Sequence, residues 1–152
     1  MATQIPGNSV RTLLWGIQVS RAAATLPQGT HAPIFTISGG RVILTALYGQ
    51  VTTVLGTVGN MKLIAEPTVG VATDMCAVVA AGTLAVGEFL SITGKPGDAM
   101  LKQVGAAPGF AYYGLLVDVG TIDLSLSLSD TGACKWDVFY TPFDIGASIA
   151  AA

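Results

Sequence analysis

The sequence predicts an all-β fold: a single-domain antiparallel β-sandwich, jelly roll or barrel of about 8–10 strands, preceded by an extended N-terminal arm. Three observations carry this expectation. From Thr121 to Ser129 the side chains alternate without interruption, Ile122, Leu124, Leu126 and Leu128 against Thr121, Asp123, Ser125, Ser127 and Ser129. A period of two is the mark of a pleated strand with one face on a core and the other in water. Short apolar runs recur along the chain between turn clusters drawn from its 19 glycines and 7 prolines. No long segment keeps a helical period.

Taken in order, residues 1–19 read as the arm and residues 20–152 as the β domain. Met1 to Asn8 is irregular around Pro6-Gly7. Val10, Leu13, Leu14 and Ile17 have helical spacing, but Leu13, Trp15 and Ile17 also alternate and Gly16 weakens a helix interior, so strand or arm is expected. Trp15 is read either as a core aromatic or as an anchor in a partner's groove. Short strands are expected at Ala22–Leu26 and Pro33–Ile37, then a long one from Arg41 to Leu55. Within it Gly49 breaks the alternation and predicts a bulge or a close backbone approach. Apolar residues on both of its faces imply burial on both sides, in a core or at a subunit contact. Further strands are expected at Met61–Ala65, Gly70–Ala80, Ala85–Thr93, Met100–Val104 and Leu115–Val119. The alternating run from Thr121, the turn Asp130-Thr131-Gly132 and the run Cys134 to Thr141 predict a β-hairpin with a short loop.

Composition narrows the function. Of the 152 residues, 51% are hydrophobic and only 11% charged, where globular chains carry about a quarter charged residues. Mean hydropathy is positive. The charge-free run Val42 to Met61 contains three glycines, four threonines, a glutamine and an asparagine, so it is no membrane span, and no secretory signal is expected near Met1. The apolar excess therefore points to protein partners, an oligomer or larger assembly. A net charge of −2 with seven scattered basic residues gives no footprint for nucleic acid. Cys76 and Cys134 are far apart in sequence and read as buried, reduced thiols.

An inventory of chemistry yields no catalytic, cofactor-binding or metal-binding residues, and no enzyme or small-molecule substrate is expected. His31 is the lone histidine, in the run Gln28 to Pro33, and reads as solvated. One histidine and two remote cysteines lack the spacing of a metal site. Asp118, Asp123, Asp130, Asp137 and Asp144 read as polar-face and turn residues rather than as a glycosidase pair. Neither Gly39-Gly40 nor Gly105 to Gly109 is a phosphate loop, and Arg41 reads as an ordinary exposed residue at a strand start.

Two segments carry a resemblance: ATLPQGTHAPIFTISGGRVILTALYGQVTT and GTIDLSLSLSDTGACKWDVFYTPFD, with the small-residue C-terminus after them. The TLPQ start at Thr25 to Gln28, the Gly-Gly-Arg-Val strand within Phe35 to Val42, and Lys135, Trp136, Tyr140, Pro142, Asp144, Gly146 and Ala147 are similar to a group of small structural proteins of tailed bacteriophages. The likeness runs from about Ser20 onward and leaves out the arm. It implies a head decoration (cement) protein: a β-rich homotrimer on the capsid surface, made in the bacterial host's cytoplasm, that clamps the major capsid protein lattice. On that reading Ile5, Leu13, Leu14 and Trp15 form the partner-binding arm, and Ile43, Leu47 and Val51 form the subunit contact. Two alternatives stay open. One is a tail or head-to-tail connector component; the other is a β-barrel that binds a small apolar ligand between Phe89, Phe110, Tyr112, Tyr113 and Trp136.

Overall fold

Alternating apolar residues need a second apolar face to cover them, and this chain supplies it by folding into two stacked sheets. A computed structural model of the protein describes residues 5–56, 59–105 and 114–152. These residues contain one helix, α1 (Gly7–Trp15), and twelve strands: β1 (Ile17–Thr25), β2 (His31–Ser38), β3 (Val42–Thr53), β4 (Asn60–Pro67), β5 (Thr73–Asp74), β6 (Val79–Ala80), β7 (Phe89–Ser91), β8 (Leu101–Gln103), β9 (Leu115–Val117), β10 (Gly120–Leu126), β11 (Ala133–Pro142) and β12 (Ser148–Ala151). The first six-stranded sheet runs β1-β11-β3-β7-β8, with β9 also on β3; the second runs β12-β2-β10-β4-β5, with β6 also on β4. The strands within each sheet pair antiparallel. The fold is thus an all-β sandwich. Phe35, Ile37, Leu63, Ile122 and Leu124 of the second sheet share one core with Val42, Leu44, Leu90, Trp136 and Val138 of the first. Each such side chain contributes about 2 kcal/mol by leaving water.

Three expectations need correction. The first is the hairpin. β10 and β11 are consecutive, but they lie in different sheets. Residues 127–132 carry the chain across the sandwich, so the stripe Ile122, Leu124, Leu126 faces the stripe Cys134, Trp136, Val138, Tyr140 through the core instead of lying beside it. Asp130 shapes this crossing: its carboxylate accepts from Gly56 N at 2.8 Å and from Gly132 N at 2.6 Å. Periodicity reports a strand's faces, whichever neighbour it pairs with.

The second concerns the long strand. In the pairing of β3 with β11 the register passes from Ala46↔Phe139 to Leu44↔Tyr140, leaving Thr45 as the extra residue of a bulge. A bulge inverts the alternation beyond it. Leu44 and Leu47 therefore both point inward, and Leu47 and Val51 are buried in the protein's own core rather than offered to another subunit. Gly49 is the other expected outcome, a close approach. It sits opposite Trp136, and a Cβ placed there would meet the indole ring at 2.7–2.9 Å.

The third is the arm, which is helical. Gly16 stands at its C-terminal cap with φ 88°, a position where glycine is favoured and not the interior position that would weaken a helix. A Cβ on Gly16 would also collide with the Tyr140 carbonyl. β1 then begins at once, Ile17 opposite Tyr140, so residues 17–19 belong to the sheet and not to an arm. A smaller difference lies at Gly70–Ala80, which contributes only the two short edge strands β5 and β6.

The Gly49–Trp136 contact yields a test. Alanine at Gly49 forces the ring from its place, and overpacking of this kind costs about 1–3 kcal/mol. Urea unfolding of Gly49→Ala should show that loss. The same change in a Trp136→Leu background should cost clearly less, because the ring it strikes is gone; equal costs in both backgrounds would refute the contact as the cause.

Candidate functional site

The helix α1 carries a cluster of exposed apolar side chains. Val10, Leu13 and Leu14 follow at i, i+3 and i+4 and so share a face. None of the helix's residues is buried, and Leu13 and Leu14 are 79% and 65% exposed. Ile5 before the helix and Ile17 after it are exposed as well. Its C-terminal end is held to the body by Thr45 Oγ1, which donates to the Trp15 carbonyl, while Gly16 N caps the helix's own last turn on Thr12 O at 2.9 Å. Of the four arm residues singled out, Ile5, Leu13 and Leu14 are open to solvent while Trp15 is half-buried. An isolated helix this short is marginal in water and draws its stability from packing of its apolar face. Here the chain leaves that face uncovered.

The other candidates separate. Of the expected subunit contact only Ile43 stays near the surface, half-buried opposite Leu116, which is exposed. The aromatic pocket does not assemble from the described residues. Trp136 lies in the core against Gly49, whereas Phe89 pairs with Gln50, the next residue along β3, and so occupies the sheet's opposite face. Phe110, Tyr112 and Tyr113, with most of the loop Gly105 to Gly109, lie outside the described residues. Phe89 instead borders a broad recess of about 500 Å³ with Gln50, Val86 and Val104.

Five residues of the phage-protein resemblance, Gly39, Gly40, Arg41, Asp144 and Gly146, meet at one corner, while Thr25 to Gln28, Lys135 and Trp136 lie elsewhere. Arg41 and Asp144 pair through two contacts, Nε to Oδ2 at 2.8 Å and Nη2 to Oδ1 at 2.9 Å, while Arg41 N donates to Oδ2 at 2.9 Å. The Arg41 guanidinium lies 4.7 Å from the Phe143 ring centroid. A Cβ on Gly39 would strike the Gly146 carbonyl, and one on Gly40 would stand 2.6 Å from Asp144 Cβ. Arg41 is therefore a clasp between loops.

On the outer face of the second sheet, β10 lies between β2 and β4. That order brings together three residues that sequence spacing kept apart. His31, the first residue of β2, has Nε2 at 3.3 Å from Glu66 Oε2 of β4 and 4.0 Å from Asp123 Oδ2 of β10. Asp123 is only 3% exposed, and its Oδ1 has no hydrogen-bond partner. Asp137 instead meets Ser20 and Gln18, and Asp130 serves its turn. Both cysteines are free and buried, and burial raises each thiol, Cys134 to about 12. Among the described residues no helix is long and apolar enough to cross a membrane.

No protein-family model, curated protein or solved structure matches the chain.

The clasp sets an acid limit. Side-chain and backbone hydrogen bonds from Arg41 hold Asp144 down at about 2, against an ordinary 3.8. A depressed carboxylate contributes stability that is present above the unfolded value and is lost as pH falls through the folded one. Urea midpoints of Asp144→Asn should thus depend less on pH than those of the native chain between pH 3.8 and about 2. Parallel curves across that window would show that the pair is not coupled to folding.

Proposed function

We propose that the chain is a non-enzymatic structural protein of a phage virion, a head decoration protein that assembles as a trimer on the capsid and reinforces the major capsid lattice. One observation carries the reading: a helix with no buried residue, whose Leu13 and Leu14 are 79% and 65% exposed, fixed to the β-sandwich at its C-terminal end by the bond from Thr45 to the Trp15 carbonyl. The low charge of the chain, 11% of residues, supports extensive protein contact. The resemblance of the Gly39–Val42 and Lys135–Ala147 segments to small phage proteins supplies the setting.

In this reading α1 lies in a groove of a major capsid subunit, with Leu13 and Leu14 as anchors and Ile5 extending the contact. The trimer contact falls on the outer face around Ile43 and Leu116, since Leu47 and Val51 are spent on the core. Affinity comes from several modest contacts engaged together, which three linked helices multiply without any single strong site.

The test uses heads of the parent phage assembled without this chain. Leu13→Asp/Leu14→Asp and a chain lacking residues 1–15 keep β1 intact. Both should retain a trimeric mass in light scattering. Both should lose head binding by at least about 100-fold, from about 1.5 kcal/mol per leucine no longer buried. Unchanged binding with the trimer intact would remove α1 from the contact. A native mass of six or twelve subunits would instead favour a tail or connector ring, and a monomer would remove the assembly argument.

A further inference from the structure

We propose that His31, Glu66 and Asp123 form a binding site for a first-row divalent metal ion, with zinc the best fit to the donor set. This inference is independent of the virion reading. It begins with a cost. A carboxylate taken out of water without a donor or a cation is strongly disfavoured, yet Asp123 is 3% exposed and its Oδ1 has no partner. Its other oxygen faces His31 Nε2 at 4.0 Å, beyond a hydrogen bond. Lys62, across the ladder from the neighbouring Ser125, is engaged with Asp74 at 2.6 Å.

The geometry suits a cation. One ligand atom from each of the three residues lies within 4.8 Å of the other two. A metal bound at about 2.0–2.2 Å to nitrogen and oxygen holds its ligands roughly 3.3–3.6 Å apart in a tetrahedral arrangement. The His31–Glu66 separation of 3.3 Å already meets this. The His31–Asp123 separation needs to shorten by about half an ångström, and that of Glu66 and Asp123, within 4.8 Å, by no more than about 1.5 Å, within the reach of side-chain rotations. One imidazole nitrogen with two carboxylate oxygens selects zinc and its transition-metal neighbours over calcium and magnesium, which prefer oxygen alone. His31 and Glu66 have side chains 47% and 45% exposed, so the fourth position opens to water.

The backbone arranges these residues by a specific device. Between β10 and β2 the register passes from Ile122↔Phe35 to Asp123↔Pro33, leaving Ile34 as the extra residue. Ile34 and Phe35 are both buried as a result. Without that bulge, His31 would keep the inward phase of Phe35 and Ile37. With it, His31 turns to the outer face, where Asp123 also points. Asp123 itself sits on a strand paired on both sides, against Pro33 and Ile64, so the most buried ligand is also the most firmly placed.

The experiment is titration of the full chain, stripped with a chelator, with zinc chloride in a calorimeter, alongside thermal melts. The native chain should bind one zinc per chain, and zinc should raise its melting temperature. His31→Ala and Asp123→Asn should each weaken binding at least 10-fold and lose the thermal shift. Asp123→Asn should melt no lower than the metal-free native chain, because it removes the buried charge, so loss of binding would not reflect failure to fold. Magnesium and calcium should give no comparable shift. Equal zinc binding by the variants, no one-to-one binding by the native chain, or a preference for calcium or magnesium would each overturn the proposal.

Discussion

The structure depends on one bent ribbon. β2 pairs with β12 in the second sheet, Ser38 opposite Ser148, and β3 pairs with β11 in the first, Val42 opposite Pro142. The same two stretches of chain therefore cross between the sheets side by side, and residues 39–41 and 143–147 make the corner. Two passing backbones at a sharp bend leave no room for side chains between them. Gly39, with φ 75°, lies against the Gly146 carbonyl for that reason. Arg41 and Asp144 then close the corner from outside. An exposed ion pair of this kind contributes little to total stability by itself. It joins the two crossing segments at the corner where Gly39 and Gly40 let the backbones pass closely.

The crossing between β10 and β11 completes the arrangement at another place in the chain, with Asp130 acting on the backbone where Arg41 acts on a side chain. These two crossings explain why the sequence was legible in one respect and opaque in another. The alternation in 121–126 and 133–141 correctly separates the two faces, because that depends only on the pleat, whereas Leu128, past the end of β10, is exposed instead of inward. Whether two strands lie beside or across from one another depends on a loop's path, and Asp130-Thr131-Gly132 has the composition of a tight hairpin turn as readily as of a crossing. In the same way Gly49 was visible as an irregularity. That its cause was the Trp136 ring, and that the bulge lay at Thr45, required the partner strand.

The candidate sites divide along the same line. Ile5, Leu13 and Leu14 could be read as uncommitted apolar residues because they precede the regular β pattern, although their helix was masked by an equally good alternation and by Gly16 at the boundary. Leu47 and Val51 were misplaced by a single extra residue, which changes the face of everything after it. His31, Glu66 and Asp123 left no signal in spacing. They belong to three strands whose order is 2-10-4 in the sheet, and a bulge at Ile34 is needed to bring the histidine to the right face.

The two sites occupy different parts of the sandwich, and this bears on how they act together. α1 packs beside β1, an edge strand of the first sheet, and beside β11. The His31 cluster lies on the outer face of the second sheet, centred on β10. Between the β1 edge and the β12 edge the sandwich is tied by Arg21, whose Nε donates to the Ala152 carbonyl at 3.0 Å. A partner that gripped α1 would cover the first sheet's edge and leave the His31, Glu66 and Asp123 cluster open to solvent. Docking and ion binding then share no contact residue, and sites without a shared residue or a two-state element between them are thermodynamically independent. An ion held between β2, β10 and β4 would therefore stiffen the second sheet without altering the docking helix, and its contribution would lie in the durability of the subunit once placed.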